Sequence, residues 1–344
     1  MQKTSDSRTH KAVDWTQLAD KELLSMRVRD LHISIAGSLL EGRIERLYAE
    51  LAERGIRFRP PCYLADEWLC PDRTPMIGIP FCLAHPRLIE LEQKMMLEVE
   101  GSDEESCMKL LRHECGHAIN YAYELFKRTR WQELFGPFSA PYGNTYSFQP
   151  YSRRYVIHLS DHYAQSHPDE DFAETFAVWL NPHNNWRDKY RDWPVLKKLL
   201  YVDSLMRKIG AAAPVVRPDL NPPWSAGRMT STLQAYYERK RKALGADFYG
   251  YYDNCLRRLF KSEKHGPSDM PAAQLLRSHR RLLVSQAAQW TEHRKYDINQ
   301  LLGRLIDRCE RLGLYGRQTD LVGLTALITA IAGKTFRPDR RKKR

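Results

Sequence analysis

The stretch Leu110-Leu111-Arg112-His113-Glu114-Cys115-Gly116-His117-Ala118 constrains this chain more than any other. It lies in a segment whose spacing predicts a single helix over residues 103–127. Ser102 with Glu105 three positions on gives a capping-box start, and Asp103 and Glu104 suit the positive end of the helix dipole. Met108, Leu111, Cys115, Ala118, Ala122 and Leu125 recur at three- and four-residue steps, which predicts a buried stripe. His113 and His117 are four apart, so they project from one face about a turn from each other. Two neutral imidazoles placed this way can bind one zinc ion. Glu114, rotated slightly round the helix, can take a proton from water held there. Cys115 stands between the two histidines in the sequence, yet its side chain falls on the core stripe.

A zinc site needs a third protein ligand. The long metzincin pattern requires Gly at 120 and His at 123, and the chain has Asn120 and Tyr123, which excludes it. The stretch Ser166-His167-Pro168-Asp169-Glu170-Asp171-Phe172-Ala173-Glu174-Thr175-Phe176-Ala177 is the better candidate. It predicts a second helix, with Pro168 near the first position, acids in the first turn and a stop at Asn181-Pro182. Glu170 and Glu174 share a face, while Phe172, Phe176 and Trp179 point elsewhere toward a core. Acids also favour a helix N-terminus on electrostatic grounds alone. Position therefore leaves Glu170 and Glu174 as rivals, with His158, His162 and His167 behind them. His158 and His162 share the four-residue spacing, but no glutamate base accompanies them.

Wider wording supports the pairing of these two motifs. The run from Arg57-Phe58-Arg59-Pro60 through Ile79-Pro80-Phe81, Ala84-His85-Pro86-Arg87-Leu88, the His-Glu-Cys-Gly-His helix and Tyr163-Ala164-Gln165-Ser166-His167-Pro168 to Trp179-Leu180 resembles a bacterial family of zinc-binding metallopeptidases of gluzincin type. The resemblance spans about residues 30–205 and does not identify a peptide bond that is cut. It implies Glu170 as the third zinc ligand and Glu174 as the acid that orients a ligating histidine. It also implies that Tyr163, seven residues before Glu170, reaches the oxyanion of the reaction.

The 344 residues suffice for about two domains with real cores, and a hydrophobic content of 42% is ordinary for a globular protein. Residues 1–11 are polar, with no apolar signal-peptide region. The most apolar window, residues 321–332, is too short to span a bilayer, so no transmembrane segment is expected. Seven cysteines without paired spacing suggest reduced thiols and a cytoplasmic location. Cys62, Cys70 and Cys82 read as buried thiols, since no C-x-x-C occurs.

Charge is uneven. Residues 231–344 hold 24 Lys and Arg against 11 Asp and Glu, whereas residues 1–230 hold 30 against 31. Residues 39–54 read as a helix stopped by Gly55. Residues 56–84, broken by Pro60-Pro61, Pro71-Asp72 and Pro75, suggest a small sheet. Its last strand is expected over residues 76–83, with Pro80 on an edge; either extended substrate pairs there, as in zincin-type folds, or Gly78 and Pro80 simply end the sheet. A helix is expected over 87–99, loop over 135–155 and further helix over 186–208. Beyond a Pro-rich linker, helices are expected over 230–244, 247–261, 272–289, 296–312 and 319–334. Basic clusters stand at Arg239-Lys240-Arg241-Lys242, Arg280-Arg281 and Arg340-Arg341-Lys342-Lys343-Arg344, with Tyr236, Tyr237, Tyr249, Tyr251 and Tyr252 near the first.

The expected fold is α+β and mainly α: a zincin-like metallopeptidase domain with a small sheet (residues 1–210), a linker (211–228), a basic helical domain (229–336) and a basic tail (337–344). A cut at residue 229 is expected to leave a folded catalytic part. The expected function is hydrolysis of peptide bonds in a peptide or protein substrate. Zn2+ would be held by His113, His117 and Glu170, with Glu114 as general base, Tyr163 at the oxyanion and Glu174 as the orienting acid. The alternative is a protein that binds nucleic acid or an acidic partner through residues 231–344, its zinc site structural or vestigial.

Overall fold

Gly55, at φ +76°, ends the first long helix, as only a residue free of Cβ strain does readily. The computed structural model describes residues 14–96, 99–142, 149, 151–218, 221–244, 253–291 and 293–335. Its first part runs α1 (Asp20–Ser25), α2 (Leu39–Glu53), β1 (Cys62–Ala65), β2 (Ile77–Pro80), α3 (Pro86–Met96), α4 (Glu104–Ala122), α5 (Thr129–Phe135), α6 (Pro168–Leu180), α7 (Trp186–Lys189), α8 (Leu196–Ile209) and α9 (Leu233–Leu244). Its second part runs α10 (Asp253–Leu259), β3 (Met270–Pro271), α11 (Ala272–Ser278), α12 (Arg280–Thr291), α13 (Lys295–Arg311), β4 (Tyr315–Gly316) and α14 (Leu321–Thr335). Among the described residues the chain is mostly helical with two small two-stranded sheets, one parallel (β1–β2) and one antiparallel (β3–β4). No helix among the described residues is long and apolar enough to cross a membrane.

Several expectations need correction. The helix expected over 103–127 is capped by Asp103, whose Oδ1 accepts the Ser106 N–H at 2.9 Å, and not by Ser102. It stops at Ala122 because Glu124 turns left-handed (φ 49°), and residues Leu125–Lys127 form a separate 3-10 turn. The strand expected over 76–83 ends at Pro80 and passes into a 3-10 turn, Phe81–Ala84. Its outer edge is not open to substrate. Gly78 exchanges backbone hydrogen bonds with Leu69 (2.7 and 3.2 Å), and a Cβ there would lie 2.8 Å from the Leu69 side chain. The outer edge of β1 is likewise bridged, at Ala65, by Ser225. The helix expected over 186–208 splits into α7 and α8 around Pro194, and that over 272–289 splits at His279.

The linker is a strap. The Val215 and Val216 N–H groups donate to the Ala122 carbonyl (2.8 and 3.0 Å), which occupies an acceptor left open at the end of α4. The Tyr123 hydroxyl donates to Ala212 O at 2.9 Å. Beyond the strap, α9 belongs to the first core: Leu233, Tyr236 and Tyr237 are buried with α1–α8, and Lys240 pairs with the buried Glu92 of α3 at 2.6 Å. A second cluster, from Leu256 to Ala332, forms its own core, although Tyr296 at the start of α13 is buried with the first. The two cores therefore divide after α9, later than residue 229. Tyr236 and Tyr237 are core residues and not stacking surfaces, and Lys240 is already paired. Tyr249, Tyr251, Tyr252 and the tail from Arg340 to Arg344 lie outside the described residues, as do residues 1–11.

This boundary gives an expected result. A chain ending at residue 244 should stay soluble with a cooperative melt. One ending at 228 strips the buried Leu233, Tyr236 and Tyr237 from the core, each worth about 1.5–3 kcal/mol, and uncovers Glu92 as its partner Lys240 is lost. Thermal melts of the two truncations compare them directly, and equal melting temperatures would remove α9 from the first domain.

Candidate metal centre

The centre is built where α4 crosses α6. The crossing is close because Gly116 has no side chain: a Cβ there would stand 2.8 Å from Ala173 Cα and 2.9 Å from Ala173 O. Those contacts are backbone, so neither partner can swing aside. Gly116→Ala should therefore push α6 away, cost about 1–3 kcal/mol through overpacking and weaken metal binding about tenfold or more. A thermal melt and a chelator competition check it; wild-type values in both would show that the crossing is not tight.

On its other side, α4 is fixed to α2 by a buried ion pair. Arg112 donates through Nε and Nη2 to the two oxygens of Glu50 at 2.7 and 2.6 Å. The fork matches the carboxylate, so neither buried charge is left without hydrogen bonds. In α6, Pro168 holds the first position and His167 is the N-cap, its Nδ1 accepting the Asp169 N–H at 3.1 Å. The first-turn acids Asp169, Glu170 and Asp171 are all buried. Asp171 pairs with Lys198, yet burial still pushes its pKa up to about 7.

The three candidate ligands meet. His113 Nε2 and His117 Nε2 are 3.2 Å apart, and Glu170 Oε2 lies 3.1 Å from the first and 3.0 Å from the second. Donors about 2.0–2.1 Å from a tetrahedral zinc ion stand roughly 3.3 Å from one another, so this triangle has the right size. The outer nitrogens decide what faces inward. His113 Nδ1 lies 2.7 Å from Glu174 Oε1, and Glu174 Oε2 accepts the Leu159 N–H at 2.9 Å. His117 Nδ1 faces Asp169 Oδ2 at 3.2 Å, within ion-pair reach though without hydrogen-bond alignment. Each carboxylate favours a proton on the nitrogen it faces, which leaves both Nε2 atoms as acceptors. With Glu170 Oε2, three lone pairs then converge on one point, an arrangement that requires a cation or extra protons.

The charges around the three groups point the same way. Burial alone would lower the His113 pKa, but the Glu170 and Glu174 carboxylates outweigh it and bring it to about 9. Burial opposes His117 as well, and Glu170 and Asp169 bring it to about 10. Glu170 is the converse: burial would raise it, and His117 and His113 hold it well below the usual carboxylate range. These shifts favour protons at the point where the three groups converge, and a cation held there would have to displace them.

The remaining candidates fall out as follows. Among the described residues, His113, His117 and Glu170 form the one cluster of metal-ligand type, so the cysteines and the His158–His162 pair do not make another. His158 donates to Lys109 O at 3.0 Å and is held below the usual histidine value by burial. His167 caps α6 and reaches Ala140 O at 2.7 Å. Cys115 is fully buried in the core. Glu114 follows His113 on α4, is buried, and lies close enough to Tyr63 to help raise that phenol's pKa. Tyr163 sits in a 3-10 turn with its ring 5.6 Å from that of His113.

Two neighbours of the ligands escape sequence reasoning. Asp169 faces His117 as Glu174 faces His113, and it also accepts from Asn120 (2.9 Å) and the Tyr121 hydroxyl (2.6 Å). The signal was its place beside Glu170, hidden by the ordinary preference for acids there. Tyr142, read as loop, brings its hydroxyl 3.1 Å from Glu170 Oε1, and no periodicity in that loop pointed to it. Comparison with protein-family models, with curated proteins and with solved structures finds no match for this chain.

Proposed function

We propose that this chain is a zinc-dependent peptide hydrolase of gluzincin type with a zincin-like catalytic part. The observation that carries the reading is the convergence of His113 Nε2, His117 Nε2 and Glu170 Oε2 within 3.2 Å, each histidine backed by its own carboxylate. When bound, zinc supplies a Lewis acid that polarises a carbonyl and brings the pKa of water toward 7. Glu114 accepts the proton as water attacks the carbonyl and delivers it to the leaving amine. Glu174 and Asp169 hold the two imidazoles in the tautomer that presents Nε2. Tyr163, beside His113, is the proposed donor to the developing oxyanion. The packing of β2 and α6 against α4 fits a zincin-like arrangement, and seven free cysteines fit a reducing cytoplasm.

The alternative, binding of nucleic acid or an acidic partner through residues 231–344, retains its net positive charge as support. It loses Tyr236, Tyr237 and Lys240, which are committed to the first core. The test of the main reading is metal analysis of purified protein with a peptide-library digest, with and without chelator. About one zinc per chain and cleavage that stops on chelation are expected. Metal-free protein that still cleaves peptides would overturn the chemistry, and zinc-loaded protein that cleaves none would favour the alternative.

A further inference from the structure

Tyr142 comes from the segment between α5 and α6, and three contacts fix its place. Its ring stacks on His167 at 3.6 Å between centroids and 16° between planes. His167 in turn holds the same segment through Ala140 O at 2.7 Å. Phe138, two residues earlier still, stacks on Phe126 at 4.2 Å. Tyr142 is 39% exposed as a whole, while its hydroxyl reaches the buried carboxylates of α6. It lies 3.1 Å from Glu170 Oε1 and 3.3 Å from Asp169 Oδ2. Asp169 Oδ2 already accepts the shorter bond from Tyr121, so the single phenolic proton is best used on Glu170.

Glu170 therefore has two unlike oxygens. Oε2 faces both imidazoles, and Oε1 is engaged by a phenol on the side away from them. A carboxylate can ligate a metal through one oxygen or through both, and a catalytic site needs one position kept open. The hydrogen bond to Oε1 favours the one-oxygen mode, because turning the carboxylate to use both oxygens would break it. We infer that Tyr142 is a positioning residue that holds Glu170 to ligation through Oε2 alone and so keeps a position free for water and substrate. This rests on the zinc reading above, and it gives Tyr142 a task at the buried centre.

The test uses the full chain loaded with Co2+, whose visible absorption is strong in four-coordinate sites and weak at higher coordination. Tyr142→Phe keeps the ring on His167 and removes only the hydroxyl. The wild-type chain should bind about one Co2+ with a strong band. Tyr142→Phe should bind the same amount with a clearly weaker band, as Glu170 Oε1 joins the metal. A Tyr142→Phe spectrum identical to wild type, at equal loading, overturns the assignment while leaving the zinc reading intact. Loss of Co2+ from the variant overturns it too, since the hydroxyl would then be needed for binding and not for its mode. Wild-type protein that takes up no Co2+ overturns the zinc reading and this inference with it.

Discussion

Glu114→Gln protein is expected to carry a full complement of zinc and to hydrolyse peptides about 100- to 10,000-fold more slowly than wild type. Glutamine keeps the size and polarity of the side chain and cannot accept a proton. The substitution should be structurally quiet, since Glu114 makes no hydrogen bond to a described residue that the amide would break. The buried ion pair that anchors this part of α4 belongs to Arg112 and Glu50, on a different face, and is untouched. Metal content by elemental analysis separates the two roles available to this glutamate: a ligand would take zinc with it, a base would not. Turnover at the wild-type rate would show that proton transfer runs through another group.

The grouping of the candidate site's residues was more legible in the sequence than the fold, for physical reasons. His113, His117, Glu170 and Glu174 were legible because helical spacing fixes which side chains share a face, and both helices are strongly marked at their ends. The start of α6 at Pro168 and its stop before Asn181 follow from backbone chemistry that neighbours cannot override. Whatever depended on contacts distant in sequence was hidden. Gly116 reads as a weak point in a helix until Ala173 is seen against it. The run around Pro214, Pro222 and Pro223 reads as a free linker until its amides are found on Ala122 O, and Tyr236 and Tyr237 read as surface aromatics until α9 is seen packed into the first core against α3. The supposed substrate edge failed in the same way, because the cover on β2 is Leu69, from a stretch with no strand pattern of its own.

The two glutamates of α6 should separate cleanly when each is removed. Glu170→Ala is expected to purify almost free of zinc, because Oε2 is the one carboxylate oxygen within about 3 Å of both Nε2 atoms. Glu174→Ala is expected to keep zinc with an affinity lower by roughly 10- to 100-fold, the effect of losing an acid that acts through a ligand. The geometry supports that ranking from both sides. Glu174 Oε1 is bonded to the outer nitrogen of His113, and Oε2 to the Leu159 amide, so both oxygens are committed away from the centre. Moving Glu174 inward would break both bonds and free the His113 ring to turn. Asp169→Asn extends the argument to His117 and should fall with Glu174→Ala, since Asp169 faces the outer nitrogen and not Nε2. A chelator-competition titration of the three variants reads the order. If Glu174→Ala loses zinc and Glu170→Ala keeps it, the ligand role passes to Glu174. If both bind as tightly as wild type, neither glutamate of α6 holds the metal.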